Sequence, residues 1–483
     1  MQSTPLSFNQ AYFVVVGWWL HMQGHEIRQP NTHQLITELT GPLDYSELRA
    51  GIADIVCRHD VLRAAVLASN FNHLRVSLHM RGIVSRRLSD GIVPGALLRE
   101  GLLSPDSELL GPDVFEQVVS VQSTTTAVAE SLHLIASDAT EDDIPGLAAN
   151  QIADSWDYSQ TPRFRVSLLR LEERRHILMV AFDFLSSDGV SLRVFLRELA
   201  EYYGRRVGLI FSPLPPLSMQ YAEYALWERD RLQGPRLKVL LDFWKTQWSQ
   251  VPNPDSVLSM IRPPRHAPDK SMPAPRRAVI DETLTMELRC FARRQHITIS
   301  MLWLALLAIV LRKYSTTDVI PIMGVMPNRG RPGTENLIGR FSNVHVMMLR
   351  FNNAYTMGDF LKHVKTTVLA TTSHQDLPSF AATVWNGIDF RPVTTTFRFS
   401  RRQREALVQG PVQFRVIDLP RRDGHCPLEV HVADQGQTMS VSADAAPQYS
   451  SRLVLGNLVS EILSSLRRTL TPGAVDRRLE QIV

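Results

Sequence analysis

The sequence predicts an α+β protein built as two lobes, and three observations support this. At 483 residues the chain exceeds what one simple core accommodates. Strand-like and helix-like segments mix in both halves. Residues 252–276 hold seven prolines and few large apolar residues, the composition of a connector. The expected division is a first lobe over 1–251, the connector 252–276, and a second lobe over 277–483.

Composition narrows the class. The apolar fraction of 44% and charged fraction of 21% are ordinary for a globular protein. A net charge of +4 gives nucleic-acid binding little support, and Arg401-Arg402-Gln403-Arg404 reads as a local surface cluster. Cys57, Cys290 and Cys426 are odd in number, far apart and without C-x-x-C spacing. That argues against a disulfide framework and a zinc site, and for a reducing cytoplasm. No His/Cys/Asp set has metal-ligand spacing, and no glycine-rich phosphate loop is present. Ala11–Leu20 lacks a preceding basic region, so no signal peptide is expected. The longest apolar run, Met301–Leu311, is too short to cross a bilayer and reads as a buried helix.

Taken in order, Ile36–Thr40 reads as a strand. Leu43–Cys57 reads as a helix with Leu48, Ile52, Ile55 and Val56 on one side, and Leu74–Leu78 alternates like a strand. Residues 83–150 mix turns with short apolar runs and are expected to form a docking or lid element. Arg163–Leu171 and Arg175–Asp183 form a hairpin around Glu172-Glu173-Arg174. Within it, His176–Phe182 has buried-strand length. Leu192, Phe195, Leu196 and Leu199 then recur at amphipathic-helix spacing. Tyr221–Trp248 reads as helix interrupted near Gly234-Pro235. The second half opens with a strand near Arg277–Ile280, a helix from Thr285 and the apolar helix 299–312. Strand-like runs follow at 319–325, 343–351, 393–399, 427–432 and 438–443, then a helix over about 450–468. Trp18, Trp19, Phe243 and Trp244 are expected in the core, and His59 and His374 are expected to hold loops.

Asp183-Phe184-Leu185-Ser186-Ser187-Asp188-Gly189 joins the buried strand to the amphipathic helix. Its two carboxylates sit on a bend held by rigid elements, where polar groups can face a cleft. Read alone, the stretch is structural: an acid before a helix caps it, and Asp-Gly marks a turn.

Six stretches give the bend its context. They are Pro5-Leu6-Ser7-Phe8-Asn9-Gln10, Arg58-His59-Asp60-Val61-Leu62-Arg63, Asp183–Gly189, Tyr221-Ala222-Glu223-Tyr224-Ala225-Leu226-Trp227, Ile338-Gly339-Arg340-Phe341-Ser342-Asn343 and His374-Gln375-Asp376-Leu377-Pro378. In this order the chain resembles the condensation domains of nonribosomal peptide synthetases, of the chloramphenicol acetyltransferase superfamily. The last five stretches are similar to RHxxLR, HHxxxDG, YxDYAxW, IGxFVN and HQDxP. The resemblance implies two acetyltransferase-like lobes in a V-shaped pseudo-dimer with a central tunnel. It implies partner carrier proteins of a nonribosomal peptide or polyketide synthase, whose phosphopantetheine arms enter from opposite ends. No permanently bound cofactor is implied. The activity implied is transfer of an acyl or peptidyl group from a thioester to the amine or hydroxyl of a small-molecule or carrier-bound acceptor. The 483 residues hold no adenylation or carrier region, so a freestanding cytoplasmic enzyme is expected. Asp188 would be mainly architectural, with Arg63 as its partner, since a buried carboxylate needs one to stay ionised.

The two histidine positions of the motif are Asp183 and Phe184, and Phe cannot accept a proton. Three readings follow. In the first, condensation persists through positioning, with Asp183, Ser187, Ser191 and Asn343 lining the centre. His345 would share a strand face with Asn343, although a lone strand histidine is by default structural. In the second, Asp183, Asp188 and Ser191 match the DxxxxDxxS of heterocyclisation relatives. Pro392-Val393-Thr394-Thr395-Thr396 is similar to their PVVFT, which singles out Thr396. In the third, catalysis is lost and the scaffold recruits other proteins. The catalytic candidates are therefore Asp183, Asp188, Ser191 and His345. The substrate-contact candidates are Phe184, Ser187, Gly189, Asn343 and Thr396, and no metal ligand is proposed.

Overall fold

The structure is a computed structural model. It describes residues 3–11, 13–14, 32–68, 115–119, 137–153, 156, 162–209, 213–253, 257, 276–378, 381–382, 393, 395–401, 407–409, 411–417, 427–445 and 452–481. The Leu74–Leu78 strand, Trp18, Trp19, Cys426, Arg402–Arg404, most of the connector and most of 83–150 lie outside the described residues.

The strands in chain order are β1 (Ser3–Pro5), β2 (Thr32–Thr40), β3 (Ala64–Ala68), β4 (Phe115–Val119), β5 (Ser137–Asp138), β6 (Phe164–Glu172), β7 (Arg175–Asp183), β8 (Arg276–Ile280), β9 (Val319–Met326), β10 (Asn343–Arg350), β11 (Thr395–Arg401), β12 (Leu407–Gln409), β13 (Val412–Val416), β14 (Leu428–Asp434) and β15 (Met439–Asp444). The helices are α1 (Tyr45–Arg58), α2 (Ile144–Gln151), α3 (Gly189–Arg206), α4 (Tyr221–Arg231), α5 (Gly234–Trp248), α6 (Glu282–Arg294), α7 (Ile299–Lys313), α8 (Met357–Ser373) and α9 (Arg452–Thr469). Both halves mix helices with sheet, as an α+β fold requires. One six-stranded sheet runs β12-β13-β2-β7-β6-β5, the other β10-β9-β11-β14-β15-β8, and β1-β4-β3 form a third, small sheet.

The first core shows why the chain folds this way. The apolar stripe of α3, with Phe195 and Leu199, meets Leu48 and Ile52 of α1 over Leu178, Val180 and Phe182 of β7. The other face of β7, through Ile177 and Met179, is covered by Ile144 and Ala148 of α2. A strand buried on both faces reads as a continuous apolar run, so His176–Phe182 shows no alternation. The second core surrounds α7, where every residue from Met301 to Leu311 is buried. Between the two lobes, α5 sets Trp244 and Trp248 against Val346 and Met348 of β10.

One feature departs from the expected division. β13 follows β11 in sequence, yet it pairs with β2 of the first sheet, Phe414 opposite Leu39. The second half thus donates a strand to the first. The interruption expected near Gly234-Pro235 is present: Tyr221–Arg231 and Gly234–Trp248 are separate helices, broken where Gly234 takes a left-handed φ of +52° that glycine adopts without strain.

Candidate active site

β7 ends at Asp183 and α3 begins at Gly189, so the bend is held from both sides. Asp188 caps α3: its Oδ1 accepts from the backbone N–H groups of Val190 (3.0 Å) and Ser191 (2.9 Å). These donors have no partner inside the helix. The same carboxylate reaches the second half. Oδ1 accepts from Arg329 Nη2 at 2.9 Å. Oδ2 accepts from the N–H of Phe341 and Ser342, both at 3.2 Å, and from the Ser342 hydroxyl at 3.1 Å. Burial opposes the charged form, but Arg329 and these donors prevail and hold the Asp188 pKa below the usual carboxylate value.

Arg63 is not the partner of Asp188, which corrects the sequence reading. Arg63 pairs with Asp60 in its own turn. Arg329 is held by the carbonyls of Thr334 and Leu337 in the loop over the start of α3.

Several expected reacting groups are closed off. Asp183 is fully buried, ion-paired with Arg163, and accepts from the Leu185 N–H at 3.0 Å. Burial raises its pKa despite Arg163. The Ser191 hydroxyl lies 2.9 Å from both Asp188 Oδ1 and the Gly339 carbonyl and accepts from the Gly339 N–H at 3.1 Å. His345 stacks on Trp244 with ring centroids 4.3 Å apart, and its Nε2 lies 3.2 Å from the Gln375 carbonyl. Burial pushes the His345 pKa down to about 4, so the ring is neutral near pH 7. Asn343 accepts from Asn9 Nδ2 and donates to the Gln375 carbonyl, both at 2.8 Å. Thr396 lies in β11, opposite Met323 of β9 and Glu429 of β14. Asp183, Ser191 and His345, expected as reacting groups, are thus positioned as structural ones. Asn343 lies in the seam between the halves and Thr396 within the second sheet.

What reaches solvent is different. Within the bend Phe184 is half-buried and Gly189 exposed, while the other five residues are buried. Space is open beside Gly189, where an added Cβ would meet no atom within 4 Å. The Phe184 ring packs edge-on against Phe13 with centroids 5.0 Å apart. It stacks on His33, centroids 4.6 Å apart and planes 24° apart. The Arg340 guanidinium lies 3.7 Å from its centroid. His33 stands on β2 opposite Phe182 and places Nδ1 3.0 Å from the Ser187 hydroxyl oxygen. Ser187 donates its proton to the Asp183 carbonyl at 3.1 Å. In the tautomer whose Nδ1–H donates to Ser187, Nε2 carries the lone pair. An imidazole therefore sits at the bend after all, supplied by the neighbouring strand.

Residues 113–381, more than half of the chain, match the family model of the condensation domain. The chain belongs to the condensation-domain family. It is 31% identical over 225 residues to malpinin synthetase of Mortierella alpina, covering 46% of this chain and 3% of that protein. It is 33% identical over 232 residues to phosphinothricin tripeptide synthetase PhsC of Streptomyces viridochromogenes, covering 48% and 21%. The chain thus spans a small part of the curated relatives it matches. Among solved structures, the condensation domain of the monacolin K polyketide synthase MokA aligns at TM-score 0.76 and 16% identity, over 99% of both chains. The X-domain of teicoplanin biosynthesis, solved with OxyB, aligns at TM-score 0.71 and 19% identity, over 100% of this chain and 96% of that one. At these identities the likeness shows the fold, the one shared by chloramphenicol-acetyltransferase-like condensation domains.

In this condensation domain the family stretches tie the seam together. His59 accepts from the Ile338 N–H at Nδ1 (3.3 Å), so its Nε2–H donates to Glu198 at 2.8 Å. Gln10 donates to the Leu185 carbonyl of the bend at 3.1 Å. Tyr221 donates to the Arg340 carbonyl at 2.6 Å, and the Trp244 indole to the His374 carbonyl at 3.0 Å. Sequence reasoning missed His33, Arg163, Arg329 and Arg340. Arg340 stood inside a quoted motif and Arg163 at the start of the hairpin. His33 lies in the polar lead-in to β2, and nothing around Arg329 marks it.

Proposed function

We propose that this condensation domain transfers an acyl or peptidyl group from a carrier-protein thioester, presented on a phosphopantetheine arm, to an amine or hydroxyl acceptor. The observation that carries this reading is His33, an imidazole seated against Phe184 and Ser187 at the bend. The acceptor nitrogen or oxygen bonds to the thioester carbonyl carbon and the sulfur leaves. The acceptor's proton passes by way of His33 Nε2 to the departing sulfur. A thioester is already activated, so positioning removes much of the barrier. A general base adds about 10²–10⁴-fold. Asp188 acts through position: it fixes the bend against 339–342 and so holds Ser187 and His33 in place.

The heterocyclisation reading loses support, because Asp183, Asp188 and Ser191 are all engaged within the protein. A non-catalytic platform is the second reading, favoured by Phe184 where the motif imidazole would stand. The two separate in one assay. An acyl-loaded carrier protein is incubated with the domain and candidate amines and alcohols, then weighed intact. Unloading that needs both domain and acceptor supports the enzyme. Tight carrier binding with no unloading supports the platform.

A further inference from the structure

Among the described residues Arg340 is a buried cation without a counterion. It is 6% exposed, and its Nε is buried with no hydrogen-bond partner. Among the described residues no ion pair or side-chain hydrogen bond reaches its guanidinium, whereas Arg163 and Arg329 are paired. The acids that face it are already engaged: Asp183 with Arg163, and Asp188 with Arg329 and the 341–342 backbone. Its contacts are two rings, Phe184 at 3.7 Å and Phe13 at 5.2 Å. Burial lowers its pKa to about 10, so it stays charged near pH 7. Cation–π contact offsets only a small part of the cost of burying an ion. The rings therefore leave the charge largely uncompensated. Arg340 also lies against Phe184, one of the two bend residues that reach solvent.

We propose that Arg340 is an anion-recognising residue of this domain, and that it receives a carboxylate carried by a substrate at the Phe184 bend. A guanidinium matches a carboxylate in charge and planar geometry, and the two nitrogens not enclosed in the stem are suited to a forked bond. The proposal rests on the reading of the bend as the place where substrates meet. Its test reads binding and stability rather than turnover, so it can fail while the acyl transfer stands, and the reverse.

The full chain is titrated with N-acetylglycine, N-acetylglycinamide and inorganic phosphate by saturation-transfer NMR and thermal melting. N-acetylglycine is expected to bind and to raise the melting temperature, and the neutral amide to do neither. Arg340→Met is expected to weaken N-acetylglycine about tenfold to a hundredfold, the range of charge-assisted hydrogen bonds. Arg340→Lys is expected to keep part of the affinity. Ligand-free Arg340→Met is expected to melt at or above the wild-type temperature, because an uncompensated charge has been removed. Equal binding of acid and amide, or binding unchanged in Arg340→Met, would overturn the proposal. So would an Arg340-dependent response to phosphate in place of the carboxylate. A lower melting temperature in both Arg340→Met and Arg340→Lys would show the guanidinium to be a structural group and overturn it as well.

Discussion

Asp188 shows how one side chain can serve two halves of a protein. Its carboxylate caps α3 through Val190 and Ser191 and at the same time binds Arg329, Phe341 and Ser342 of the second half. Asp188→Asn removes the charge opposite Arg329 and leaves a buried guanidinium unpaired. The expected cost is about 3–5 kcal/mol, read as a lowered denaturant midpoint. His345 makes a second prediction. Its folded pKa of about 4 lies below the ordinary 6.5, so the unfolded chain takes up a proton first as pH falls. The contribution of neutral His345 is complete above pH 6.5 and is lost progressively between 6.5 and 4. The gap corresponds to roughly 3 kcal/mol at its fullest. Urea melts from pH 7.5 to 4.5 should show a shallower acid loss in His345→Phe, which keeps the stack on Trp244. Parallel curves for the two proteins would assign the acid sensitivity elsewhere. At this scale the sequence was half legible. It marked Asp188 as a buried carboxylate in need of a partner, but Arg63 and Arg329 look alike in one dimension, and only the fold brings Arg329 over α3. His33 was hidden for a related reason: the alternation rule looks for apolar residues, and β2 opens on Thr32-His33-Gln34.

Among the elements, the 338–343 segment carries the seam. It crosses the start of α3, meets α4, and then becomes β10. Gly339 is required there for space rather than for backbone freedom, since a Cβ would come within 2.1 Å of the Tyr221 ring. That ring has no room to retreat, because its hydroxyl donates to the Arg340 carbonyl at 2.6 Å and lies 3.0 Å from the Ser7 hydroxyl. Gly339→Ala is therefore expected to destabilise by about 1–3 kcal/mol, the usual cost of overpacking. If thermal melts of Gly339→Ala matched wild type, the seam would be looser than described. Strong periodicity made α3 and α7 legible, and their observed ranges, Gly189–Arg206 and Ile299–Lys313, follow the apolar spacing. β12 and β13 went unread. Leu407–Gln409 and Val412–Val416 are short and separated only by Gly410-Pro411, and β13 is fixed by pairing with a strand far away in sequence.

For the whole molecule, the consequence is that the lobes are not independent. β13 leaves the second half to complete the first sheet, and Phe414 enters the first core beside Tyr203, with ring centroids 5.8 Å apart. Phe414→Ala should cost about 3–5 kcal/mol, and both sheets should still melt in one transition. Two resolved transitions in calorimetry would show that the halves fold apart. The proline count predicted a divide at 252–276, and composition alone gives no sign of a strand that crosses it. The proposed acyl transfer at the Phe184 bend, with His33 as its base, depends on the seam these elements build. Intact-protein mass spectrometry of an acyl-loaded carrier, with wild type and His33→Ala compared at equal concentration, tests it most directly. The expected result is acceptor-dependent release by wild type, slowed about 10²–10⁴-fold in His33→Ala at an unchanged melting temperature. Release at the wild-type rate by His33→Ala, or none by wild type with any amine or alcohol acceptor, would contradict it.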